Sequence, residues 1–190
     1  APIVAIAGGL GCFEPRKPPI SNISDFEDKG IEYIVRDPEF YRGKSVIISG
    51  GGDSALDWAV FLANDVAKEV TLVHRSKSFR GHPDSVQKVL DMAASGKINL
   101  HTDAEVVELA GEDTLRNITL QHNDETRTVL TTDHWLPLFG LSPKLGPLSE
   151  CGLNIDKNSI EVNTFDYQTN VPGLYAIGDI NTYPGKLKLI

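Results

Sequence analysis

Residues 48–60 read ISGGGDSALDWAV, three consecutive glycines set between an apolar run and a helical pattern. A backbone this bare at the mouth of a helix serves either a tight turn or a phosphate cradle. The run before it, SVIIS over Ser45–Ser49, predicts a strand. After it, Leu56, Ala59, Val60, Ala63 and Ala67 recur at helical spacing and predict one apolar face on a helix from Ser54 to Ala67. Gly50-x-Gly52-x-x-Ala55 thus lies in the strand–turn–helix context that the G-x-G-x-x-G/A fingerprint of a dinucleotide site requires. Bare backbone lets a pyrophosphate approach, and the free N–H groups and dipole of the helix start bind the anion. Gly50, Gly51, Gly52 and Ala55 are the candidate contacts. Asp53 and Ser54 either join them or cap the helix.

Working outward, VTLVH (70–74) predicts a second buried strand. Residues 84–94 predict a second helix with Val86, Val89, Leu90 and Ala93 inward and Gly96 as its stop. Residues 98–101 predict a third strand. Strand–helix alternation between Ser45 and His101 implies parallel strands joined by right-handed crossovers. From Ala104 the pattern changes to short, partly alternating segments, AEVVELAG, RNITLQHN and TRTVLTT, which predict an antiparallel meander added to that sheet. HWLPLFG predicts a last strand returning to the sheet and closing at Gly140. Before the first of these strands, the Pro-rich stretch EPRKPPISNISDFEDKG reads as a connector. After Gly140 the chain is loop-rich, with strand candidates at 160–162 and 174–177.

The second strand indicates which dinucleotide. An acid there would hold a free ribose 2′-hydroxyl. Instead the strand ends HRSKSFRG, so His74, Arg75, Lys77 and Arg80 make a cationic cluster suited to a 2′-phosphate. The plain alternative is a solvated basic loop.

Composition sets the outer limits. The chain has 190 residues, 41% hydrophobic and 23% charged, ordinary for a soluble globular protein. No apolar run approaches a membrane span. The opening APIVAIAGGLG reads as a buried strand rather than a signal peptide. A net charge of −8 argues against a general nucleic-acid binder. Cys12 and Cys151 are far apart and form no CxxC, so neither a disulfide framework nor a metal site is expected. Both read as small buried hydrophobes.

Three segments together, GGGDSALDWA, LVHRSKSFRGH and GLYAIGDINTYPGKLKLI, resemble ferredoxin–NADP reductases of the thioredoxin-reductase-like type. The resemblance runs from about Ile3 to Ile190. It implies an α/β fold in which a three-layer, Rossmann-like NADP domain, a parallel sheet plus an antiparallel meander, interrupts an FAD domain. The corresponding expectation is an FAD-domain end and linker over 1–22, an NADP domain over 23–140 and the start of a second FAD segment over 141–190. It further implies that Phe13 packs on the flavin, that Asp179 of the AIGD motif holds the ribityl chain, and that His74, Arg75, Ser76, Arg80 and Gly140 join the NADP(H) contacts. Ser76 stands where many relatives carry a second arginine, a change that weakens 2′-phosphate binding. No side chain is implied to act as acid or base.

The redox CxxC of thioredoxin reductases has no counterpart in EYIVRDPEFYRG, which favours the ferredoxin-reductase branch, with ferredoxin or flavodoxin as acceptor. EPRKP and PGKLKL are the candidate basic docking segments. The implied setting is cytoplasmic, and the family is often dimeric. The chain lacks an initiating Met and a first FAD segment with its own glycine fingerprint, so it reads as a piece of a longer enzyme, inactive alone and without bound FAD. Two other readings stay open: a non-catalytic nucleotide-binding module, and a related flavin oxidoreductase with another acceptor.

Overall fold

The computed structural model describes residues 3–9 and 12–186. In chain order the elements are β1 (Val4–Ile6), β2 (Cys12–Pro15), β3 (Ser45–Ser49), α1 (Asp53–Ala63), β4 (Glu69–His74), α2 (Pro83–Ala94), β5 (Asn99–Thr102), β6 (Ala104–Gly111), β7 (Leu115–His122), β8 (Arg127–Thr131), β9 (His134–Pro137), β10 (Leu141–Lys144), β11 (Ile155–Asp156), β12 (Ser159–Glu161), β13 (Leu174–Ala176) and β14 (Asn181–Thr182). They divide into two units, one of residues 15–140 and one of 1–14 with 141–190.

In the 15–140 unit, β5-β4-β3-β9 form a parallel sheet in that order. Alternation along the strands decides what covers each face. Val46, Ile48, Val70, Leu72 and Leu136 point to one side, where they pack with Ala55, Leu56, Ala59 and Leu62 of α1 and Val89 of α2. Ile47, Val73 and Trp135 point to the other and pack with Ala104, Leu109, Leu115, Ile118 and Leu120. Those last residues belong to β6-β7-β8, an antiparallel sheet of its own. Helices, parallel sheet and antiparallel sheet thus make three layers. The meander covers the parallel sheet rather than extending it, because its apolar residues are needed to bury the sheet's second face.

The free edge of β9 is closed by residues 30–32, with Trp135 N–H donating to Gly30 O (2.7 Å) and Glu32 N–H to Trp135 O (3.1 Å). The stretch read as a connector is therefore part of this unit. Ile20, Phe26 and Ile31 are buried in its core, and Asn22 Nδ2 donates to Leu109 O at 3.0 Å. These contacts move the boundary from 22/23 to 14/15. The ends of the unit meet, Arg16 N–H donating to Gly140 O at 3.1 Å.

Two helix readings change. α1 stops at Ala63, not Ala67, because Asp65 takes a left-handed φ of 65° and Ala67 N–H bonds back to Leu62 O. In α2, Leu90 is exposed and Met92 packs inward with Val86 and Val89, since the helix presents a narrower stripe to the core.

In the other unit, β1 pairs parallel with β13, β10 lies beside β2, and β11-β12-β14 form a small sheet. Its core is Leu145, Leu153, Ile160, Ala176 and Ile180. Strand β1 forms as the sequence predicts, yet Ile3 and Val4 are exposed rather than buried. Cys151 is also exposed, against the buried reading, its thiol lying against Pro147 O. The side chain of Cys12 lies outside the described residues.

Candidate functional site

All four strands of the parallel sheet end at the same edge, and there the glycine turn joins the basic segment. The chain leaves β3 through Gly50, whose N–H donates to Val73 O at 3.1 Å. Its φ of +155° and the absence of a side chain are both needed, since a Cβ would stand 2.7 Å from Ala55 Cβ and from Leu138 O. Gly52 is different. A Cβ there would meet nothing within 4 Å, so its backbone is open to a ligand. Gly52 is also the N-cap of α1, and no side chain caps the helix. The first N–H groups of α1, at Asp53 and Ser54, have no intrahelical partner and lie on the positive end of the helix dipole, whereas the N–H of the buried Ala55 donates to Gly52 O at 3.1 Å.

The capping alternative for Asp53 and Ser54 is not what the structure has. Asp53 instead reaches across, its Oδ1 accepting from His82 N–H at 2.5 Å. Ser54 is exposed.

Residues 75–82 are not a free surface loop. Arg80 N–H and Gly81 N–H donate to Gly51 O at 2.7 and 3.2 Å, which lays the segment over the glycine turn. Arg75 and Arg80 are exposed and make no ion pair among the described residues. Lys77 pairs with Asp103 at 3.7 Å with its own side chain 86% exposed, a weak contact. The Ser76 hydroxyl turns back on its own loop, donating to Ser78 O at 2.9 Å. His74 is 7% exposed. Burial holds its imidazole below the usual histidine range; the Ser78 carbonyl works against that shift, and Arg75 and Arg80 add to it.

Sequence reasoning missed Phe79, which stacks on His74 at 5.0 Å. It missed Gly81 as well, where a Cβ would strike Leu56 and approach the Asp53 carboxylate. The available signal was an aromatic and a glycine inside an otherwise polar run. Gly140, exposed with φ +86°, follows β9 at the same sheet edge. The site lies where the strand order reverses, with β4 and β5 on one side of β3 and β9 on the other.

Asp179 and Phe13 belong to the other unit. Asp179 is exposed on a short 3-10 turn after β13. Behind it, Lys186 Nζ donates to Gly178 O, Asn181 O and Asn181 Oδ1 at 2.6–2.8 Å, fixing that turn. Phe13 lies in β2, and its ring is outside the described side chains. No group of three or more metal-ligating side chains occurs among the described residues, and none of their helices is long and apolar enough to cross a membrane.

Comparison with known proteins places this geometry in a wider set. Residues 4–189 match the family model described as pyridine nucleotide-disulphide oxidoreductase. The chain is 64% identical over 193 aligned positions to ferredoxin–NADP reductase 1 of Christiangramia forsetii, covering all of this chain and 54% of that protein. It is 56% identical to the ferredoxin–NADP reductase of Flavobacterium johnsoniae, again over the whole chain and 54% of that protein. Among solved structures, thioredoxin reductase of Lactococcus lactis superimposes with a TM-score of 0.77 at 25% identity, over 96% of this chain and 59% of that one. The chain therefore spans about half the length of the curated relatives it matches.

Proposed function

The chain belongs to the pyridine nucleotide-disulphide oxidoreductase family, and from that premise we propose that its 15–140 unit binds NADP(H) in a protein that passes electrons from NADPH through FAD to ferredoxin or flavodoxin. One observation carries the reading. The open Gly52 backbone at the start of α1 and the guanidinium groups of Arg75 and Arg80, which make no ion pair among the described residues, share one sheet edge, joined through Gly51 O.

The roles follow from the chemistry of each group. Backbone N–H groups at Asp53 and Ser54 hold the pyrophosphate, with the bare backbone of residues 50–52 letting it approach and Ala55 packing beneath. Arg75 and Arg80 make charge-assisted bonds to the 2′-phosphate, while Ser76, its hydroxyl engaged with Ser78 O, leaves that work to them. Gly140 leaves backbone free beside the dinucleotide. The Asp179 carboxylate accepts hydrogen bonds from a ribityl chain, and Phe13 lies against the isoalloxazine. When bound, NADPH and FAD supply the conversion of a two-electron hydride into single electrons; the protein's share is to position them and keep water out. No side chain is assigned acid or base chemistry.

The acceptor, the cytoplasmic setting and a homodimer of the complete protein belong to the same proposal. EPRKP is a candidate docking segment, with Arg16 and Lys17 exposed, although Lys17 is paired with Glu27 at 2.5 Å. Of PGKLKL, residues 187–189 lie outside the described residues.

Calorimetric titration of the chain with NADP+ and NAD+ tests the binding half. Tighter binding of NADP+ is expected, and equal affinity or a preference for NAD+ overturns it. For the complete protein, NADPH-dependent reduction of a ferredoxin or flavodoxin is expected. Reduction of thioredoxin is not, because no dithiol stands in EYIVRDPEFYRG, and observing it would refute the acceptor assignment.

A further inference from the structure

The basic motif places His74 among the residues that touch the cofactor, but the residue is buried, 7% exposed, with protein against its imidazole. One side lies against the backbone of Gly51, where a Cβ would collide with ring atoms Cε1, Nε2 and Nδ1. Another is stacked by Phe79, with ring centroids 5.0 Å apart and planes 19° from parallel. Its Nε2 is 3.1 Å from Ser78 O and 3.2 Å from Ser76 Oγ. A carbonyl oxygen only accepts, so Nε2 carries the proton and donates to Ser78 O. The same ring thus supports the glycine turn from below and holds the middle of the basic loop by a hydrogen bond. The loop's far end is held by Gly51 O, through the Arg80 and Gly81 amides, and by Asp53, through the His82 amide.

We propose that His74 is a positioning residue for cofactor selection: it fixes the basic loop on the glycine turn so that Arg75 and Arg80 stand at a set distance from the pyrophosphate site, and it touches no part of the dinucleotide itself. This rests on the NADP(H) reading above and deepens it. Arginine discriminates through paired, directional bonds, so its selectivity depends on where its backbone is held. A loop held only at its far end would keep Arg80 anchored through its own amide but free residues 75–78, so Arg75 would keep its charge and lose its position beside Arg80. The loss should then fall on the 2′-phosphate and spare the pyrophosphate, which is bound by α1.

Calorimetric titration of the whole 190-residue chain with NADP+, NAD+ and adenosine 2′,5′-bisphosphate tests this. His74→Phe keeps a flat ring between Gly51 and Phe79 but removes the N–H that Ser78 accepts. Phe79→Leu removes the stack and keeps the N–H. The expected result for His74→Phe is a roughly five- to twentyfold weaker binding of NADP+ and of the bisphosphate, with NAD+ changed less than about twofold. Phe79→Leu should show the same pattern at about half that size on a logarithmic scale. If His74→Phe does not fold, Phe79→Leu decides alone. Equal losses for NADP+ and NAD+, or an unchanged ratio in variants of a wild type that prefers NADP+, overturn the proposal and leave the NADP(H) reading standing. A wild type that prefers NAD+ overturns both.

Discussion

The parallel sheet of the 15–140 unit treats its two edges in opposite ways. At the carboxyl edge, Gly52 is open, the helix start has uncapped N–H groups, and Arg75 and Arg80 have no anionic partner among the described residues. At the amino edge, polar groups answer one another. His134, 7% exposed at the start of β9, donates from Nδ1 to Glu32 at 3.1 Å and accepts at Nε2 from Lys44 at 3.1 Å. Lys44 in turn sits 4.1 Å over the Phe40 ring. Asp133 accepts from Ser45 N–H at 2.9 Å, and the Thr132 hydroxyl donates to Ser45 O or His134 O. The same strands supply both edges. One closes its hydrogen bonds internally; the other leaves donors free for the anion proposed above.

Substitutions at the two edges should therefore separate stability from binding. The largest effect is expected for His134→Ala, which leaves a half-buried Glu32 and Lys44 without their shared partner. A loss of about 2–3 kcal/mol in urea unfolding is expected, with NADP+ affinity unchanged once the chain is folded. A binding defect in folded protein would break the separation. Arg80→Ala should do the reverse. NADP+ should weaken roughly ten- to a hundredfold by calorimetry, with NAD+ and the thermal midpoint nearly unmoved.

Gly52→Ala is a gentler probe of the same edge. Its φ of −99° suits alanine, so the cost to folding should stay under about 1 kcal/mol. Both dinucleotides should weaken together, roughly three- to tenfold, because on the proposed reading the added methyl stands where the pyrophosphate approaches. An NADP+-specific loss would show that the turn does not contact the part common to both.

The smallest effect is expected from pH. Burial holds His74 and His101 below the ordinary value of 6.5; a nearby His122 adds to the shift of His101. The unfolded chain therefore takes up more protons as pH falls through 6.5, and stability should drop in that direction. Urea midpoints at pH 7.5 and 5.5 check the sign, and His74→Phe should flatten the slope. A midpoint that rises on acidification would contradict the buried, neutral assignment.

The carboxyl edge was the legible one. Glycine spacing, strand–helix alternation and a basic run are all local in sequence, and β3, α1, β4 and α2 form within a few residues of where periodicity puts them. What escaped was carried by long-range contacts. Nothing local tells that Ile20 and Phe26 complete the core of a distant sheet, or that residues 30–32 close the edge of β9. The end of α1 was missed because the helical apolar spacing continues to Ala67, although the chain has already turned at Asp65. His74 was legible as part of a basic motif but not as a buried support. Only the fold brings Gly51 and Phe79 against its ring. The amino edge gave no signal, since Glu32, Lys44 and His134 are scattered along the chain.

The hydrogen bond from Arg16 to Gly140 has a consequence for the order in which the chain folds. Strands β1 and β13 are neighbours in space, yet the whole 15–140 unit is threaded between them. Bringing them together in a disordered chain means closing a loop of more than a hundred residues, on the order of 4–5 kcal/mol of entropy. Once the inserted unit has folded, its two ends are already within bonding distance, and most of that cost has been met. The 15–140 unit should therefore act as the template, with the discontinuous unit assembling late on a tether that is long in sequence and short in space.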